Sequence, residues 1–101
     1  MEFDTYYVGF LLRGPNWTPE ESPELDQLQA DHIAHKMRME QAGHLIMNGP
    51  CVDNGNLRGI SVYKAGSLAE AKAWADEDPM VQIGRLVMEF HPWMVPKKTV
   101  D

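Results

Sequence analysis

Cysteine is almost missing from this chain: Cys51 stands alone among 101 residues. One thiol cannot close an internal disulfide, so a reducing, cytoplasmic setting is the expectation. There is no Cys-x-x-Cys pair and no spaced Cys/His set, which leaves structural zinc without ligands. Basic residues are also scarce. Nine Lys and Arg stand against fifteen Asp and Glu, a net charge of −6, which argues against nucleic acid or an anionic membrane as a partner. The opening Met1-Glu2-Phe3-Asp4 is acidic and lacks the basic-then-apolar pattern of a signal peptide. The longest apolar runs fall far short of the roughly 20 residues that a membrane-spanning helix needs, so the chain reads as soluble. It has no internal repeat, no low-complexity tract, and no strand–Gly-rich loop–helix unit for phosphate around Gly49, Gly59 or Gly84.

What is present fits one domain over 1–101, with a core over about 6–95 and a polar, frayed tail over 96–101. A domain of this size buries about two-thirds or less of its unfolded surface. Seven Met and nine aromatic residues supply bulk to a thin core that oligomerisation would help.

Tyr6 to Leu12 is rich in aromatic and branched residues and reads as a first strand, apolar enough for an inner position. Gly14-Pro15-Asn16 breaks it. Thr18-Pro19-Glu20-Glu21 has capping-box spacing, and Ser22-Pro23-Glu24 offers a second start. Pro23 disfavours a helical Ser22, so the first helix is expected over Pro23 to Ala42, ended by Gly43. Leu25, Leu28, His32 and Met39 share one helical face, with Ile33 and Met37 on its flank. Leu45 to Asn48 is a second strand. Asp53-Asn54-Gly55-Asn56 holds the Asn-Gly pair of a tight hairpin, where both central residues want positive φ. Leu57 to Tyr63 is a third strand. Ser67-Leu68-Ala69-Glu70 is a capping box opening a second helix through Glu77, and Asp78-Pro79 ends it. Leu68, Ala71 and Ala75 form its apolar stripe. A short turn over Met80 to Ile83 precedes Gly84, and Arg85 to Trp93 reads as strand four.

The order β-α-β-β-α-β is the ferredoxin-like, split βαβ arrangement of the α+β class: a four-stranded antiparallel sheet with two helices on one face. The other face needs a cover. The simplest is the same face of a second subunit, so a homodimer with sheets packed face to face is expected.

Seven segments in order carry a resemblance: His32-Ile33-Ala34-His35, Glu40-Gln41-Ala42-Gly43, Asn48-Gly49-Pro50, Leu57-Arg58-Gly59, Ser67-Leu68-Ala69-Glu70-Ala71, Asp78-Pro79 and His91-Pro92-Trp93. From about Tyr6 to Val95 the chain resembles the YCII-related domain family. The stretch Arg13 to Glu20 looks like a feature of a subgroup. The resemblance implies a dimeric α+β barrel. It also implies an active site built on the helix-one His and the Asp of the Asp-Pro step, here His32 and Asp78. It points to proton-transfer chemistry on small, often aromatic or halogenated molecules.

Those two residues are the catalytic candidates. His32 lies on an otherwise apolar face, and a neighbouring carboxylate would orient one tautomer and leave a nitrogen free to exchange a proton. The plainer assignments are a core histidine bonded to a backbone carbonyl, and an Asp-Pro step that only stops a helix. Arg58 is the candidate for an anionic substrate group, against a surface pairing with Asp53. Gly49, Pro50 and Cys51 complete the substrate-binding set, although Cys51 also suits a small apolar filler. His35 and His44 are expected at the surface or rim, and His91 in a structural role. His32 and His35 lie nearly one turn apart, but no third ligand is placed for a metal. The expected function is a small enzyme performing general acid/base chemistry on a small organic molecule in a cleft between helices and sheet, with no organic cofactor implied. The alternative is a non-catalytic dimeric module that binds a small ligand or regulates another enzyme. A heme- or metal-dependent member of the dimeric α+β-barrel group has the least support.

Overall fold

The computed structural model describes residues 2–97. Its elements run β1 (Phe3–Arg13), α1 (Pro23–Gln41), β2 (Leu45–Pro50), β3 (Leu57–Tyr63), α2 (Leu68–Ala75), α3 (Pro79–Gln82) and β4 (Leu86–Pro96). Every pairing is antiparallel, and the strands lie in the order β2-β3-β1-β4. This is the ferredoxin-like fold, with α3 as the short turn after the Asp-Pro step. β1 takes an inner position between β3 and β4.

Local chemistry sets the helix ends. The Ser22 hydroxyl accepts the Leu25 N–H at 3.2 Å and caps α1, with Pro23 in its first turn. Thr18 does not cap a helix. Its hydroxyl and carbonyl instead accept from Arg85. The Ser67 hydroxyl accepts the Glu70 N–H at 3.1 Å, and the Glu70 carboxylate accepts the Gly66 N–H at 2.9 Å. Gly43 (φ 78°) ends α1, and Gly84 (φ 74°) turns the chain into β4; both conformations favour a residue without Cβ.

The core lies between the helices and one face of the sheet. Leu45, Tyr63, Ala71 and Ala75 are buried together, with Tyr7, Met39, Trp74, Met88 and Phe90 packed against them. Alanines on α2 let that helix approach the sheet closely. The opposite face carries the cross-strand rows Val62–Val8–His91, Ile60–Phe10–Glu89, Leu12–Val87 and Tyr6–Trp93. No helix among the described residues is long and apolar enough to cross a membrane.

Several expectations give way. Leu25, Leu28, His32 and Met39 are only half-buried. The buried residues of α1 are His35 and Lys36, and Ile33 and Met37 stand largely exposed. The face that carries Leu25, Leu28, His32 and Met39 does turn inward, but two polar side chains occupy its centre and the apolar flank of Ile33 and Met37 is left outside. The connection between β2 and β3 spans residues 51–56 rather than a tight two-residue turn. Asn54 has positive φ (58°), whereas Gly55 does not. Asp53 accepts the Gly55 N–H at 3.3 Å, and the Arg13 guanidinium binds Asn54, which holds the longer loop. β4 continues past Trp93: Pro96 pairs with Phe3, and the Lys97 N–H donates to the Glu2 carbonyl at 2.9 Å. The expected frayed tail therefore does not begin at Pro96. Its remaining residues, 98–101, lie outside the described residues.

Candidate active site

Pro79 places Asp78 in the site. Its ring forces the preceding residue out of the helical region, so Asp78 is extended (φ −70°, ψ 123°) and caps α3. One carboxylate oxygen, Oδ1, accepts the Met80 N–H at 3.0 Å. The other, Oδ2, lies 2.5 Å from His32 Nδ1 on α1. Asp78 is wholly buried and His32 is 13% exposed. With its Nδ1–H donated to the carboxylate, the neutral imidazole keeps Nε2 as an acceptor. Burial by itself pushes the Asp78 carboxyl up. The hydrogen bond and charge of His32, the Met80 N–H and the Lys36 charge outweigh it and hold the pKa below the usual carboxylate value.

Lys36 follows His32 by one helical turn. Its ammonium donates to the Tyr63 hydroxyl at 3.1 Å and to Ser61 Oγ at 3.4 Å. Burial lowers its pKa against the pull of Asp78. Burial, and then the Asp78 charge, push the Tyr63 phenol far up, so it stays protonated.

His35 corrects the expectation of a surface or rim residue: it is 1% exposed. Neither ring nitrogen has a hydrogen-bond partner of good geometry, and the Trp74 carbonyl favours protonation only weakly. Burial lowers its pKa below 6.5 despite the attraction of Asp78. His44 does sit at the rim, half-buried and stacked on Trp74 at 3.8 Å between ring centroids. His91 is exposed beside Glu89.

His32 forms part of the wall of a cavity of about 450 Å³ between α1 and the sheet, whereas Asp78 is not among its lining residues. Gly49, Pro50 and Arg58 line it as well, while Cys51 is not among the lining residues. The Cys51 N–H instead donates to the Arg58 carbonyl at 2.8 Å, extending the β2–β3 ladder. The Arg58 guanidinium donates to the Gly55 carbonyl at 3.0 Å rather than pairing with Asp53. Lys36, Arg85 and Trp17 also line the cavity, and reading the sequence passed them over. Lys36 had a signal, its i,i+4 spacing from His32. Arg85 and Trp17 had none, because they meet only when residues 14–18 fold against Ile83–Arg85. There the Asn16 amide donates to the Ile83 carbonyl at 2.8 Å, and Arg85 lies 5.7 Å from the Trp17 ring.

Among the described residues no three His, Cys, Asp or Glu side chains gather as a metal-ligand set. The available chemistry is proton exchange at an oriented imidazole beside cationic side chains. No curated protein matches the chain. The family model of the YCII-related domain matches residues 11–93, a span from the last residues of β1 through most of β4 that holds both His32 and the Asp78-Pro79 step. With four antiparallel strands in the ferredoxin-like order and most of its length inside that match, the chain belongs to the YCII-related domain family.

Proposed function

We propose that this protein is a small enzyme in which His32 is a general acid/base and Asp78 orients it. One observation carries the reading: His32 Nδ1 lies 2.5 Å from a wholly buried carboxylate, at the wall of a cavity sized for a small organic molecule. Nε2 takes a proton from the substrate, the Asp78 carboxylate stabilises the imidazolium that forms, and the same nitrogen returns the proton to the product. The substrates in view are small aromatic, halogenated or carbonyl compounds, with Arg58, Gly49 and Pro50 among the residues that contact them. Cys51 belongs to this set only if the loop over 51–56 shifts toward the cavity.

The working form is a homodimer, in the cytoplasm. The open sheet face supports it, because Ile60, Val87 and Trp93 lie exposed there beside Val8, Phe10 and Val62.

The test is a screen of phenolic, halogenated and carbonyl compounds with wild type and His32→Gln side by side. Turnover by the wild type with a loss on the order of 10²–10⁴ in the variant is expected. Equal turnover by a folded His32→Gln protein would remove the reading and leave a ligand-binding module.

A further inference from the structure

Proton exchange at His32 makes no use of Lys36, yet Lys36 is the less ordinary residue. Its side chain is buried in the wall of the cavity, and the residue is 7% exposed. Its only hydrogen-bond partners among the described residues are two neutral hydroxyls, Tyr63 at 3.1 Å and Ser61 at 3.4 Å. An ammonium has three N–H donors, so one is left without a partner there. No carboxylate among the described residues lies within ion-pair distance of it. The charge that favours the ammonium is that of Asp78, whose oxygens are already engaged by His32 and Met80. A buried cation without a contact anion is costly, and a negatively charged ligand in the cavity would relieve it.

The rest of the lining agrees. Arg58 and Arg85 line the same cavity. Arg85 is held in place by the Thr18 carbonyl at 2.9 Å and hydroxyl at 3.3 Å. The single acidic residue among those that line it, Glu40, is hydrogen-bonded by the Asn48 amide. An acidic chain of net charge −6 thus gathers three cations on one cavity. Trp17, Leu11 and Met37 supply apolar wall for the rest of a ligand.

We propose that the cavity takes a small organic anion, a carboxylate, phenolate or enolate, and that Lys36 is the group that receives its negative oxygen. The role of this oxygen in catalysis rests on the His32 reading; the anion site itself does not. Removing a proton from a phenol, or from a carbon next to a carbonyl, leaves the charge on oxygen. A fixed ammonium there stabilises it as it develops.

The probes are benzoate and its neutral isostere benzamide, titrated calorimetrically at low salt. Wild type is expected to bind benzoate about tenfold to a hundredfold more tightly, the worth of a hydrogen bond to a charged group. Lys36→Met should lose the preference. Lys36→Gln, which keeps a donor for Tyr63, should lose it as well and stands in if the Met variant does not fold. His32→Gln should keep it. Benzoate binding no tighter than benzamide in wild type overturns the proposal, as does a preference that survives in a folded Lys36 variant. The two readings fail separately. Full turnover by His32→Gln would remove the acid/base role and leave a benzoate preference standing. A missing preference beside lost turnover in His32→Gln would remove only the anion site.

Discussion

At the scale of the residue, a carboxylate as buried as Asp78 persists only when its oxygens are occupied. Here a helix N–H takes one and an imidazole takes the other. Its folded pKa lies below the ordinary value. The stability this contributes is therefore present above the unfolded pKa, near 4, and is lost as pH falls through the folded value. His35 acts earlier. Its folded pKa lies below 6.5, so below pH 6.5 the unfolded chain binds a proton that the native state refuses. Stability present above 6.5 is lost as pH falls from there toward the folded pKa, with a slope of at most about 1.4 kcal/mol per pH unit. Denaturant titrations at pH 7 and pH 5 should show His35→Phe losing less stability than wild type between the two. At pH 7 the same change should be close to neutral, since neither ring nitrogen has a well-formed bond to lose. A wild-type loss reproduced in full by the variant would assign the acid sensitivity elsewhere.

At the scale of the element, the start and stop signals were the most legible part of the chain. Ser22, Ser67, Gly43 and Asp78-Pro79 act on the backbone next to them, so their effect needs no knowledge of the fold. The face of α1 was less legible, because Lys36 is buried by the hydroxyls of Ser61 and Tyr63, 25 and 27 residues away. The Asn-Gly turn failed for a similar reason: the contacts of Arg13 with Asn54 hold the 51–56 loop open. The glycines test how far local conformation sets stability. Gly43 and Gly84 share a positive φ, but a Cβ at Gly43 meets nothing within 4 Å, whereas at Gly84 it would lie 2.8 Å from the Asn16 amide. Both Ala variants should lose stability, each by more than about 1 kcal/mol, for the backbone alone. Gly84→Ala should lose more in urea unfolding, and it should disturb the wall formed by residues 14–18. Ser22→Ala removes a single cap and should cost about 1 kcal/mol.

At the scale of the whole molecule, the β-α-β-β-α-β order brings together His32 and Asp78, 46 positions apart. The order of elements was readable from the residues themselves, whereas the pairing of those two was what the family resemblance implied. Gly49, Pro50 and Arg58 were expected in the cavity wall, whereas Trp17 and Arg85 reach it through tertiary contacts of residues 14–18 that no local pattern encodes. The open sheet face bears on assembly. Sedimentation at micromolar concentration should show a dimer, with an interface of well over 1,000 Å², the scale of a stable complex. Trp93→Asp, placed on that face, should shift the protein toward monomer, and an unchanged dimer would move the interface to another surface. Catalysis is the most demanding property proposed for the assembled molecule, and it requires His32 and Asp78 to work as one unit. A kinetic cycle tests this most directly: kcat/KM of wild type, His32→Gln, Asp78→Asn and the double variant on a compound the wild type turns over. A large loss is expected for His32→Gln and a smaller one for Asp78→Asn. The double variant should be no worse than His32→Gln alone, because an orienting acid has nothing left to orient. Losses that multiply in the double variant, or a His32→Gln protein as active as wild type, would contradict the proposed unit.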